Sequence, residues 1–310
     1  MEAGTQTSRI YGGVIRLATR VTRTPHTDVA SGALALLPAI CTAVAFALLF
    51  AQPIATLARD WWTLPEAGHG MLLAPVAIWL AYKSGIRRDA VGNQSLGLAM
   101  LIVAVLARYA GGLAAELFSM RASILLAIAG LTVYSFGYRQ LLAWWLPFVL
   151  GLLAIPLPEL VTQKLALPLQ FKASQLGAAL LEMRNIPVRL TGNVIRIPGN
   201  ELFVTEACSG LRSLTALLGL AVLLGGILLR HPVTRLVLVG LSILIAIVVN
   251  GVRVFLTGFL VFFVDPALGK GFMHLTEGWL LFIVSFACIS LIAWAAGRGE
   301  HWVGTRRMTP

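Results

Sequence analysis

Apolar residues in this chain run in long unbroken blocks, near 32–52, 67–82, 95–112, 119–137, 140–157, 207–229, 235–264 and 278–297. A soluble core of this size has no use for such blocks. A bilayer does, because its hydrocarbon layer of about 30 Å takes about 20 apolar residues per helical crossing and leaves no water to pair exposed backbone. With 58% hydrophobic and only 12% charged residues among 310, the expected fold is an all-α polytopic membrane protein of about eight transmembrane helices.

Charge sets the orientation. Threading the blocks puts Arg9, Arg16, Arg20 and Arg23, then Lys83, Arg87 and Arg88, Arg139, Arg230 and Arg235, and Arg298, Arg306 and Arg307 on one side. The positive-inside rule makes that side the cytoplasm and puts both termini there. Residues 1–30 then form a cytoplasmic basic segment, 31–298 a single integral membrane domain and 299–310 a cytoplasmic tail. The first block lacks a small-residue cleavage site and reads as a retained helix. The net charge of +11 is scattered over cytoplasmic loops with no aromatic-interleaved patch, so membrane lipids are its expected partners and nucleic acid is not. Cys41 and Cys288 lie within apolar blocks and no CxxC or HxxxH spacing occurs, so no disulfide set, metal site or cofactor is expected.

The longest external loop, 158–206, holds the polar chemistry. Residues 159–184 carry Gln163, Lys164, Gln170, Lys172, Ser174 and Gln175 among leucines and alanines, which suits an interfacial amphipathic helix. Short strands are expected near 188–191, 194–197 and 201–205, separated by the turn signals Gly192-Asn193 and Pro198-Gly199-Asn200. A small external β-hairpin thus leads into Glu206-Ala207-Cys208-Ser209-Gly210-Leu211-Arg212, where an apolar helix begins. A thiol in the first turn of a helix faces unpaired N–H groups and the positive end of the helix dipole, both of which favour the thiolate.

Two further polar groups share the outer side. Asn250, Arg253 and Thr257 recur at i, i+3 and i+7 and therefore lie on one helical face. An arginine there costs on the order of 2.5–3.5 kcal/mol to insert, tolerable when it faces a polar cavity or snorkels to headgroups. Arg212 and Thr215 extend a second polar stripe from Cys208, and Arg212 is equally suited to a lipid phosphate or a carbonyl. His274 precedes the last block, in His274-Leu-Thr-Glu277-Gly278-Trp279. A neutral imidazole is the natural proton acceptor for a thiol near pH 7. The trio suits acyl transfer: Cys208 attacks a peptide carbonyl, His274 takes the thiol proton and returns it to the leaving amine, and Arg253 stabilises the oxyanion. Glu206 and Glu277 are placed to orient His274 or pair an arginine, and Glu206 equally to stabilise the helix start.

In order and spacing, Glu206-Ala-Cys208-Ser-Gly-Leu-Arg212, Asn250-Gly-Val-Arg253 and His274-x-x-x-Gly278-Trp279 resemble the signature of the exosortase/archaeosortase family of membrane cysteine transpeptidases. The resemblance extends to Asp60-Trp61-Trp62, His69-Gly70, Pro156-Leu-Pro158 and Gly192-Asn193, covering roughly residues 55–295. It implies a multi-spanning inner-membrane protease that cuts a C-terminal sorting tail from exported proteins. Such a tail combines a short motif (Pro-Glu-Pro in many PEP-CTERM clients), a transmembrane helix and a basic cluster. The family often accompanies exopolysaccharide gene clusters. The family's catalytic cysteine, arginine and histidine map onto Cys208, Arg253 and His274; the acceptor nucleophile stays open. The chain has Gly68-His69-Gly70 where Ser-His-Gly is common, which leaves the role of His69 open. His69, Trp61, Trp62 and Glu66, with Arg184, Arg189 and Arg196, are candidates for reading the tail; a plain aromatic belt with headgroup-binding arginines is the other reading.

Two other functions fit the composition. In a transporter or channel, Arg253, Arg212 and His274 would line a path, but such paths need midplane polar groups reachable from both sides, and the cluster here is skewed outward. A non-enzymatic scaffold would leave Cys208 with ordinary thiol reactivity.

Overall fold

A computed structural model describes the backbone of residues 26–64, 66–204, 210–265 and 272–306, and side chains within 37–64, 66–204, 210–265 and 278–302. Helices α1 (His26–Thr63), α2 (Gly70–Ser84), α3 (Gln94–Leu113), α4 (Leu117–Phe136), α5 (Tyr138–Ala143), α6 (Trp145–Leu153) and α7 (Glu159–Glu182) come first. Strands β1 (Arg189–Thr191), β2 (Val194–Ile197) and β3 (Asn200–Phe203) follow, then α8 (Leu211–Leu228), α9 (Pro232–Phe263) and α10 (Phe272–Arg306). Residues Met1–Gln52 and Pro53–Pro310 form separate compact units, the first represented by the leading part of α1.

Six helical stretches among the described residues are long and apolar enough to cross a bilayer: Leu37–Thr63, Gln94–Leu113, Leu117–Phe136, Leu211–Leu228, Pro232–Phe263 and Gly278–Trp302. The chain is a multi-pass membrane protein. Two of the apolar blocks do not reach that length. The block at 67–82 gives the 15-residue α2, about 22 Å long at the helical rise. The block at 140–157 divides at Trp144 into α5 and α6. Pro147 explains the division, since it has no N–H for the carbonyl of Ala143 and its ring crowds that carbonyl.

Local chemistry starts the long helices. Asn93 caps α3 by accepting from Leu96 N at 3.0 Å. Glu116 caps α4 by accepting from Phe118 N (2.9 Å) and Ser119 N (2.7 Å), with its charge on the positive helix end. Pro232 opens α9 in the first turn, where its missing N–H is not needed. Between α8 and α9, Arg235 donates twice to Leu229 O, while Glu300 of α10 accepts from the N–H groups of Arg230 and His231.

Packing follows small residues, as expected where lipid removes the hydrophobic drive between helices. Helix α3 lies against α4 so closely that a Cβ on Gly97 would stand 2.5 Å from Tyr134 Cα. Leu217, Ala221, Leu238, Ala246, Ile289 and Ala293 form the seam of α8, α9 and α10. Helix α2 packs on α6 through Leu73, Ala77, Leu146 and Leu150. Helix α7 buries Ala166, Gln170, Ala173, Ser174, Gly177, Ala178 and Leu181, a spacing that traces one face. That face lies on α9 and beneath the sheet, where Ala173, Ala178 and Leu181 meet Ile195, Ile197, Val204 and Val254. The sheet is an antiparallel β1-β2-β3 meander; β1 and β2 lie within a residue of the expected positions, while β3 begins one residue earlier than expected and ends two residues earlier, at Phe203.

Candidate active site

The chain approaches Cys208 through Val204, and Asn193 fixes that approach. Val204 N donates to Asn193 O, and Asn193 Nδ2 donates to Val204 O, both at 3.0 Å. The same amide lies 3.5 Å from Gln170 Oε1 on α7. The Gly192-Asn193 turn therefore ties strand, helix and the segment before the cysteine together.

Residues 205–209, with Glu206 and Cys208, lie outside the described residues. Gly210 resumes the chain in a left-handed conformation (φ 79°, ψ 4°) and opens α8. A Cβ at this position would stand 2.7 Å from Cγ and 2.9 Å from Nδ2 of Asn250 on α9. Both the backbone angle and the close approach require glycine. The Cys208 motif and the Asn250 motif are thereby in contact.

On α9, Asn250 is 6% exposed and Thr257 8% exposed, while Arg253 between them is half-buried. Thr257 Oγ1 donates to Arg253 O at 3.0 Å. From α10, Gly278 presents bare backbone to the guanidinium: a Cβ there would stand 3.3 Å from Arg253 Nη2 and 3.4 Å from Cζ. His274 and Glu277 belong to α10 by backbone, and their side chains lie outside the described residues. His274 precedes Gly278 by four positions and so shares its helical face.

A narrow polar cleft joins these elements. Ser213 of α8, Asn250 and Arg253 of α9, and Gly278 and Ser285 of α10 line it. Ser285 is 1% exposed and donates to Leu281 O at 2.8 Å. Arg212 is exposed and does not line this cleft; its neighbour Ser213 does. Sequence periodicity selected Asn250 and Arg253 but missed Ser213, Gly210, Gly278 and Ser285. The glycines sit inside the quoted motifs, which was their only signal.

The upstream motif has a different setting. Helix α6 ends before Pro156 and Pro158, which have no N–H to offer Leu152 and Ala154. Leu152 O accepts from Ile155 N instead. Trp61 Nε1 donates to Ala154 O at 2.7 Å, and His69 Nε2 lies 3.1 Å from Leu153 O. Because the carbonyl accepts, Nε2 of His69 carries the proton. Burial pushes His69 below the usual imidazole range, against the backbone hydrogen bond with Leu153 that favours protonation. Asp60 accepts from Arg121 Nη2 at 2.6 Å, and Arg121 is 3% exposed. Among the described contacts, His69 and Trp61 cap a helix end and Asp60 pairs a buried arginine. Trp62 is exposed, and Arg196 is paired with Glu201 at 2.8 Å.

Residues 61–291 match the family model described as transmembrane exosortase (Exosortase_EpsH). No curated protein and no solved structure matches the chain.

Proposed function

On the premise that the chain belongs to the transmembrane exosortase family, we propose that it is a membrane-embedded cysteine protease-transpeptidase. It cuts the C-terminal sorting tail of exported proteins on the extracytoplasmic face. One observation supports this reading above others. Gly210, two residues after Cys208, is seated on Asn250, while Gly278, one helical turn from His274, is seated on Arg253. Asn250 and Arg253 line a narrow cleft with Gly278 and with Ser213, the residue after the cysteine motif, while Gly210 of that motif touches Asn250 beside it.

The chemistry follows from the side chains. His274 accepts the thiol proton as the Cys208 sulfur bonds to the scissile carbonyl carbon, and negative charge develops on the carbonyl oxygen. Arg253 meets that charge, a role in which one preorganised donor is worth roughly 3–4 kcal/mol. Collapse breaks the C–N bond, His274 protonates the departing amine, and a thioester remains on Cys208. Water or another nucleophile then attacks the thioester. Asn250 supports the turn after the cysteine, Arg212 would meet lipid phosphate or the tail's polar end, and Glu206 and Glu277 would orient His274 or pair an arginine.

In this reading α2 and the α5–α6 pair complete about eight crossings. The basic loops face the cytoplasm of a bacterium, and both termini lie there. PEP-CTERM-type proteins made with exopolysaccharide are the client class.

The test uses membranes holding the full chain and a reporter that ends in such a tail. Parent protein releases the tail, whereas Cys208→Ala and Cys208→Ser insert normally and do not. Mass spectrometry of a trapped adduct identifies the carbonyl bound to Cys208. Normal processing by Cys208→Ala rejects the mechanism.

A further inference from the structure

Strand β3 is the outer strand of the sheet, paired with β2 on one side only. Val204 N–H bonds to Asn193 O, and the register runs Ile195↔Leu202 and Ile197↔Asn200. In an antiparallel pair the bonded residues alternate, so Asn200, Leu202 and Val204 turn their main-chain groups toward β2. Glu201 and Phe203 turn theirs outward, and no described residue hydrogen-bonds to them there. Leu202 packs inward, 3.1 Å from a Cβ placed on Gly258 of α9. Phe203 is 63% exposed. The Glu201 carboxylate is drawn back over the sheet by Arg196 and leaves the edge open.

Soluble proteins blunt such edges with proline, inward charge or a bulge; none of these marks Asn200–Phe203. The opposite margin is poorer, because the three-residue β1 turns only Leu190 outward. What sets β3 apart is its continuation. Phe203 is five residues from Cys208, which places the thiol at most about 18 Å farther along an extended chain.

We propose that β3 is a docking strand: an extended segment of the client polypeptide adds to it as a fourth strand, bonded to the N–H and C=O groups of Glu201 and Phe203. The bond to be cut then lies within about five residues of the paired segment. A row of alternating donors and acceptors at strand spacing is complementary to another peptide backbone, and neighbouring side chains contribute the selectivity. The exposed Phe203 ring favours an apolar client residue opposite it. This inference rests on the reading of Cys208 as the nucleophile.

Proline at an outward-facing edge position removes one donor and spares the β2–β3 ladder. Phe203→Pro is therefore compared with Phe203→Thr, which keeps the N–H, and with Leu190→Pro on the other margin, all in full-length protein in membranes with the tail reporter. Phe203→Pro should lower kcat/KM for the reporter roughly two- to tenfold through KM. Phe203→Thr should lower it less, and Leu190→Pro should leave it unchanged. The rate at which a small thiol reagent modifies Cys208 should stay the same in all three. Equal processing by Phe203→Pro and parent, with Cys208→Ala inactive, overturns the docking strand and leaves the enzyme reading standing. Processing by Cys208→Ala overturns the enzyme reading instead. If Phe203→Pro also alters thiol reactivity, a benzophenone amino acid at position 203 in the Cys208→Ala protein decides. Crosslinking to the reporter supports the proposal; crosslinking only to a second copy of this chain, or to nothing, overturns it.

Discussion

A Cβ on Gly210 would stand 2.7 Å from Cγ of Asn250, and Gly210 itself lies at φ 79°. Alanine at 210 therefore meets two obstacles: a left-handed backbone, costing about 1–2 kcal/mol, and the Asn250 amide. Gly210→Ala should lower the unfolding midpoint in detergent and abolish tail processing. Asn250→Ala removes Cγ and Nδ2 but keeps its own Cβ, 2.9 Å from the added one, so it eases the second obstacle only in part, and the loss in the double variant should fall short of the sum of the two single losses. Strictly additive losses in that cycle would show that the two residues do not meet.

His69 is expected to act through stability. His69→Ala leaves the Leu153 carbonyl without its donor, worth about 1–3 kcal/mol where water is scarce. His69→Gln offers a replacement N–H and should recover much of the loss. Reporter processing per folded molecule should be the same in parent and both variants. A fall in kcat/KM at full folding would instead assign His69 to substrate.

Removing one partner of the Asp60–Arg121 pair strands the other. Arg121 is 3% exposed, and its Nε has no hydrogen-bond partner among the described residues, so the carboxylate carries its compensation. Asp60→Asn should destabilise the protein by about 3 kcal/mol, while Asp60→Leu with Arg121→Met should restore most of it. Thermal unfolding in detergent reads both.

Glu116 links stability to acid. Burial raises its pKa, but hydrogen bonds from the Ser119 side chain and from Ser119 and Phe118 N–H outweigh that, so the net shift is downward. A carboxyl lowered in the folded state contributes stability above its ordinary value of about 4.5, and the contribution fades as pH falls through the folded value. The unfolding midpoint of the parent should therefore drop more steeply below that pH than the midpoint of Glu116→Gln.

Local signals were readable wherever local chemistry decided the outcome. The Gly192-Asn193 and Pro198-Gly199 turns set three strands, and Glu159 opens α7 at its expected start. The division at Trp144 was written in Pro147, but the apolar block around it hid the missing donor. Pairings such as Trp61 with Ala154, 93 residues apart, leave no trace in periodicity. The same holds for the candidate site. One-face spacing placed Asn250, Arg253 and Thr257 together, whereas the seats of Gly210 and Gly278 depend on how three helices pack. The role of Ser213 in the cleft, in place of Arg212, depends on the rotation of α8, which a chain apolar nearly all round does not specify.

Asn250 and Arg253 stand three residues apart on α9, about 4.5 Å along its axis, and each receives the backbone of a different neighbouring helix. That helix serves as a fixed gauge. Neither α8 nor α10 can slide without losing its seat, yet each can do so singly. Misalignment from a remote substitution should therefore arrive in two distinguishable kinds, one felt at the segment bearing the thiol and the other at the guanidinium.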